Sequence, residues 1–163
     1  MEDVKSAAWM IRYGARSLAH NLDFIPADKE QWKPTPEAKS PLEVASEAVR
    51  VFGMYLPMLE QGCFPKFNKG FEPPKTLAEA KTWLLEISEQ YAKALEAAGP
   101  ELDRAQPMPF GGVFRATRAA CYPLLDLMNH HGQILYLQSL LGDAEMHWSE
   151  EAIKAEFEAP DQA

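Results

Sequence analysis

The chain has 163 residues, 47% apolar and 25% charged, enough for one domain of ordinary size with a real core. Its net charge of −8, with 16 Lys and Arg scattered so that no two are adjacent, argues against a nucleic-acid surface, which needs clustered cations. No apolar run of about 18 residues without charge or break is present, so no membrane span is expected.

The start, Met1-Glu2-Asp3, is acidic and unlike a targeting signal. Cys63 and Cys121 show no pattern and are read as reduced thiols of a cytoplasmic protein. Residues 4–25 predict the first helix, because Val4, Ala8, Ile11, Ala15, Leu18, Leu22 and Ile25 recur every three or four positions. Asp3 is its candidate cap, and His20 falls opposite the stripe. The prolines and charges of 26–39 then stop any helix, while Trp32 is expected to pack that loop onto the core.

A second helix over 40–60 opens with a Ser40 cap, Pro41 in its first turn and Glu43 closing a capping box. Val44, Val51, Met54 and Met58 form its apolar stripe, and Glu47 lies on that stripe. A carboxylate there is either a buried functional group or an edge residue whose stem covers apolar surface. Pro57 should kink or end the helix near Tyr55 or Leu56.

Residues 61–75 form a long crossover rich in Gly and Pro, with Phe64, Phe67 and Phe71 as anchors. The third helix, 76–98, starts on a capping box of Thr76 and Glu79. It buries Leu77, Ala80, Leu84, Ile87, Tyr91 and Ala94, and leaves Glu86 and Glu89 on the wet face. A loop over 100–116 turns tightly at Phe110-Gly111-Gly112. No alternating strand pattern is visible.

The fourth helix, over 117–142, is apolar on every face, which predicts burial all round. It nevertheless carries Asp126, Asn129, His130 and Gln133. Asp126, His130 and Gln133 share one face at i, i+4 and i+7, and buried polar groups need partners. His131 lies about 100° round the wheel from His130. Pro123 leaves two readings: a kinked helix from Thr117, or a start near Tyr122. Beyond Gly142 follows a short amphipathic piece over 149–157, with Trp148 as its expected anchor.

The fold class is therefore all-α: a four-helix bundle in one domain spanning 1–163, with a long crossover between helices 2 and 3. The segment NHHGQILYLQSLLGD resembles the last-helix signature of the DinB-like (DNA-damage-inducible) superfamily. The stretch DFIPADKEQWKPTPEAKSPLEVASEAV is similar to that family's loop and second-helix start, and the FGG turn followed by Thr117-Arg118 fits too.

The resemblance implies an up-down-down-up bundle, often a homodimer. It also implies a divalent metal on three histidines and, in characterised members, transferase or isomerase activity on small thiols. Carried onto this chain, the first histidine position is Glu47, the second Asp126, and His130 alone is an imidazole. Such a set suits Zn, Ni, Fe or Mn, with Gln133, His131 and Asn129 as outer-sphere or substrate-pocket candidates. The competing reading is a metal-free network in which the two carboxylates pair with His130, in a non-catalytic dimeric bundle.

Overall fold

The computed structural model describes residues 2–65, 70–150 and 154, without the side chains of Glu2 and Asp3. Four long helices dominate: α1 (Glu2–Leu22), α2 (Pro41–Gln61), α3 (Leu77–Ala98) and α5 (Tyr122–Leu140). A short α4 (Ala116–Ala120) precedes α5, and a two-stranded hairpin pairs β1 (Ala105–Pro107) with β2 (Val113–Arg115). Both α1 and α2 pack against α3 and α5. Phe67, the Asp3 cap and most of the 149–157 piece fall outside the described residues.

Local chemistry sets the helix starts. Ser40 Oγ accepts from the Glu43 amide and the Glu43 carboxylate accepts from the Ser40 amide, completing the capping box. At α3, Thr76 Oγ1 accepts from the Glu79 amide, but the Glu79 carboxylate accepts from Lys75 instead. Trp32 packs against the core, as do Phe64 and Phe71.

Pro57 does not end α2, and the helix runs on to Gln61. The ring crowds the carbonyl four residues earlier, and that residue is Gly53, exposed and with open space around it. At the other end of the sequence Pro123 sits in the first turn of α5, so the start near Tyr122 is the one adopted.

The core runs through Ala8, Ile11, Ala15 and Leu18 of α1, Val44, Ala48 and Phe52 of α2, Leu84 and Tyr91 of α3, and Leu127 and Ile134 of α5. Gly14 lets α1 and α5 approach closely: a Cβ there would meet Leu127 Cδ2 at 2.9 Å. On α2 Val44 and Met58 of the expected stripe are buried, but the stripe between them is rotated. Val44, Ala48, Phe52, Tyr55 and Leu59 are buried, while Val51 and Met54 are half-buried at its edge. Glu47 shares that edge with Val51 and Met54, one and two turns along.

Two further expectations are corrected. The hairpin was invisible in the sequence because each strand is three residues long, too short to display alternation. Its turn does fall at Gly111-Gly112, where both glycines have positive φ (93° and 83°). And α5 is not buried all round, since Leu125, Met128, Tyr136 and Leu140 are exposed. The bundle supplies partners for one side of this helix and leaves the other bare.

After α5 the chain folds back over the end of α1. His147, not Trp148, holds it: the imidazole stacks on Phe24 at 3.5 Å between centroids and pairs with Asp143 at 2.7 Å. Trp148 is exposed. Between α1 and α3, Arg12 forms a fork, Nε to Glu89 Oε2 at 2.8 Å and Nη1 to Glu96 Oε1 at 2.6 Å.

Candidate functional site

The edge position of Glu47 on α2 brings its carboxylate to the inward side of α5. There His130 is 4% exposed. Its Nδ1 lies 2.8 Å from the Asp126 carbonyl oxygen, and its Nε2 lies 3.2 Å from Glu47 Oε2. A carbonyl and a carboxylate can only accept, so both ring nitrogens donate and the imidazole carries a proton on each. The i, i+4 spacing on one helix is what puts the Asp126 carbonyl under the ring.

The Asp126 side chain adds charge without a hydrogen bond. Its Oδ2 is 2.9 Å from His130 Nδ1, but the N–H points at the backbone carbonyl, and among the described residues this buried oxygen has no hydrogen-bond partner. Contact with Nδ1 is therefore an ion pair rather than a shared proton. Three of the sequence-predicted residues, Glu47, Asp126 and His130, thus meet around one ring, with Asp126 at Nδ1 and Glu47 at Nε2.

Two cations not foreseen in the sequence also reach Glu47. Lys39, in the loop before α2, forms a short ion pair with Glu47 Oε2, and Arg50 Nη2 lies 3.9 Å from Oε1. Arg50 was findable, because i, i+3 is a helical neighbour spacing. Lys39 was not, since nothing in a loop fixes where a side chain eight residues away will point.

The protonation states follow. Burial alone would lower the His130 pKa, but pairing with Asp126, and then with Glu47, outweighs it and holds the pKa above the ordinary value. Burial likewise opposes the Glu47 charge, and Lys39 and His130 overcome it, holding the carboxyl below the usual range. Nearby, burial together with the neighbouring Tyr122 and Asp126 pushes the Tyr55 hydroxyl up to about 12. Tyr55 stacks on Tyr122 with centroids 6.2 Å apart, and Tyr122 stacks in turn on Phe114 of the hairpin. An aromatic wall therefore stands beside Asp126.

The three outer candidates lie apart from this ring. His131 faces α1, its Nε2 3.1 Å from Asn21 Nδ2, and burial lowers its pKa. Because Asn21 Nδ2 donates, that nitrogen is the unprotonated one. Gln133 is half-buried and Asn129 is exposed; among the described residues neither makes a side-chain hydrogen bond.

The donor chemistry fits a divalent cation in kind. The backbone carbonyl holds Nδ1–H, which leaves Nε2 as the nitrogen aimed at Glu47, whereas the Asp126 carboxylate flanks Nδ1 on the other side of the ring and would have to turn to share an ion with Nε2. The present arrangement is the protonated one. Among the described residues no group of three or more His, Cys, Asp and Glu is set to hold a metal ion.

No family model matches the chain, and no curated protein matches it in sequence. Its fold, however, is that of the DinB-like proteins. The crystal structure of the DinB-like protein YjoA from Bacillus subtilis superposes with a TM-score of 0.71, over 88% of this chain and 96% of that one, at 15% sequence identity. At that identity the likeness is one of fold. Among the described residues no helix is long and apolar enough to cross a membrane.

Proposed function

We infer that this DinB-like bundle takes a divalent metal, Zn, Ni, Fe or Mn, on Glu47, Asp126 and His130, in exchange for the His130 proton, and acts as a transferase or isomerase on small thiols or their adducts. The observation that carries the reading is the orientation of His130. Its Nδ1–H is committed to the Asp126 carbonyl, so Nε2 is aimed at Glu47; the Asp126 carboxylate, which lies at Nδ1, would turn to join them.

When bound, the metal would supply Lewis acidity, acidifying a thiol or polarising a carbonyl. The chain's own residues do the rest. Asp126 holds the imidazole in register through its backbone carbonyl. Glu47 balances charge at Nε2. The wall of Tyr55, Tyr122 and Phe114 excludes water from one side of the cluster.

The up-down-down-up path belongs to the same reading. Supporting it, Asp23 at the end of α1 pairs with Lys81 at the start of α3, and Glu30 bonds the first turns of both α2 and α3. A cytoplasmic setting, which keeps Cys63 and Cys121 as free thiols, accords with it as well.

A second reading is favoured by one observation, the pairing of Glu47 with Lys39 and Arg50. With those cations in place the carboxylate is already neutralised, and the cluster serves as a metal-free ionic tie in a non-catalytic dimeric bundle. Metal content separates the two. Untagged protein purified without chelator should hold close to one equivalent of a transition metal. A content below about a tenth of an equivalent of any of the four metals sinks the first reading and leaves the second.

A further inference from the structure

We propose that the cleft between α1 and α3 binds a small monocarboxylate, its carboxylate gripped by Arg16 and its apolar body laid on Ala19 and Leu85. The cleft encloses about 440 Å³, a size usual for small-molecule sites. It shares no lining residue with the His130 cluster.

Ion pairs stand at both ends of the cleft. At one end Arg12 holds Glu89 and Glu96, and at the other Lys81 Nζ lies 2.5 Å from Asp23 Oδ2. Lys81 and Glu89 are eight residues apart on α3, which is roughly 12 Å of helix. Between these posts the cations have no counterpart. Arg16 and His20 follow Arg12 at four-residue steps along one face of α1. Opposite them α3 offers Leu85 and Ser88, and Ser88 Oγ already donates to the Leu85 carbonyl at 3.2 Å.

Arg16 is half-buried, and among the described residues it has no hydrogen-bond or ion-pair partner. A guanidinium with restricted access to water normally has an anion at hand, because its five donors are costly to leave unmatched. Charge selects the ligand. Arg12 and Lys81 are answered by Glu89, Glu96 and Asp23, so one guanidinium is left over and one carboxylate matches it. A phosphate dianion would bring a second negative charge beside Asp23 and Glu89 with no cation to meet it. The planar fork of Arg16 takes both oxygens of a carboxylate at once, and His20 supplies a further donor one turn along. Ala19 is 2% exposed and Leu85 half-buried, so a short apolar body lying on them leaves water.

The probe is hexanoate, titrated at pH 7 into the full chain stripped of metal and followed in proton–nitrogen correlation spectra at constant ionic strength. Binding should saturate with a Kd of about 1 mM, and the shifts should centre on Arg16, His20, Leu85 and Ser88. Arg16→Met should weaken it about tenfold with an unchanged helical circular-dichroism spectrum. Arg16→Lys keeps the charge and the stem but not the fork, and should bind about threefold weaker than wild type. Hexanol, which has the body without the charge, should not saturate.

Absence of saturable binding, binding that both Arg16 variants leave intact, or shifts centred on Glu47 and His130 instead would overturn the site. Inorganic phosphate that binds as tightly as hexanoate would overturn the assignment to a monocarboxylate.

Discussion

Two clusters in this bundle share one recipe, a single cation held between two carboxylates. On the α1–α3 side Arg12 grips Glu89 and Glu96. On the α2–α5 side His130 sits between Asp126 and Glu47. The guanidinium cannot lose its proton in the working range, so the first cluster is a fixed tie. Imidazole can lose its proton and expose a ligating lone pair, so the second is a tie that can become a site. Burial sharpens the contrast: the Glu89 and Glu96 side chains are 39 and 36% exposed, whereas the His130 side chain is 5% exposed.

The largest effect expected from this difference is on folding of the metal-free protein. His130→Ala leaves Asp126 without its cation, and removing one partner of a buried pair costs several kcal/mol. Because both carboxylates keep some solvent, about 3 kcal/mol is expected. The His130 pKa is raised on folding. Its charge-dependent share of stability is therefore complete below the unfolded value near 6.5 and fades as pH rises through the folded value. Urea unfolding of wild type and variant across pH 5.5 to 9 should show the gap narrowing with pH; a gap that widens contradicts a charged His130.

A smaller effect of opposite slope is expected at the other cluster. Arg12→Met should cost about 1 kcal/mol, as fits partly exposed pairs. The Glu89 pKa is depressed by Arg12, so this contribution is present above the ordinary carboxylate range and disappears as pH falls through the depressed value. The same unfolding series carried down to pH 3 checks it: the Arg12→Met deficit should hold steady from pH 6 to 9 and shrink in acid. A deficit that also shrinks toward pH 9 would erase the distinction between the clusters.

Much of the bundle was legible because its signals are local. Capping chemistry at Ser40 and Thr76, and three-and-four spacing along α1 and α3, depend on neighbours within a turn or two. Glu47 and His130 each stood out as a polar group in apolar company, and it was the family resemblance that set them in one site. What escaped depended on distant geometry. The exposure of Leu125 and Tyr136 cannot be read from α5, because an all-apolar wheel does not say how many sides the rest of the chain will cover. Lys39 reaches Glu47 from a loop with no periodicity to interpret. Glu89 looked like a wet-face residue until α3 was placed beside α1, whose Arg12 reaches it from 77 residues away in sequence.

The central claim is that His130 can exchange its Nε2 proton for a metal while Nδ1–H stays on the Asp126 carbonyl. Nitrogen-15 NMR of the histidine side chains at pH 7, with Zn²⁺ added to metal-free protein, tests it directly. His130 should be doubly protonated before addition. At one equivalent of Zn²⁺ the Nε2 resonance moves to a metal-bound position and Nδ1 remains protonated. A His130 signal that does not change while zinc is taken up elsewhere, or no uptake at all, would contradict it.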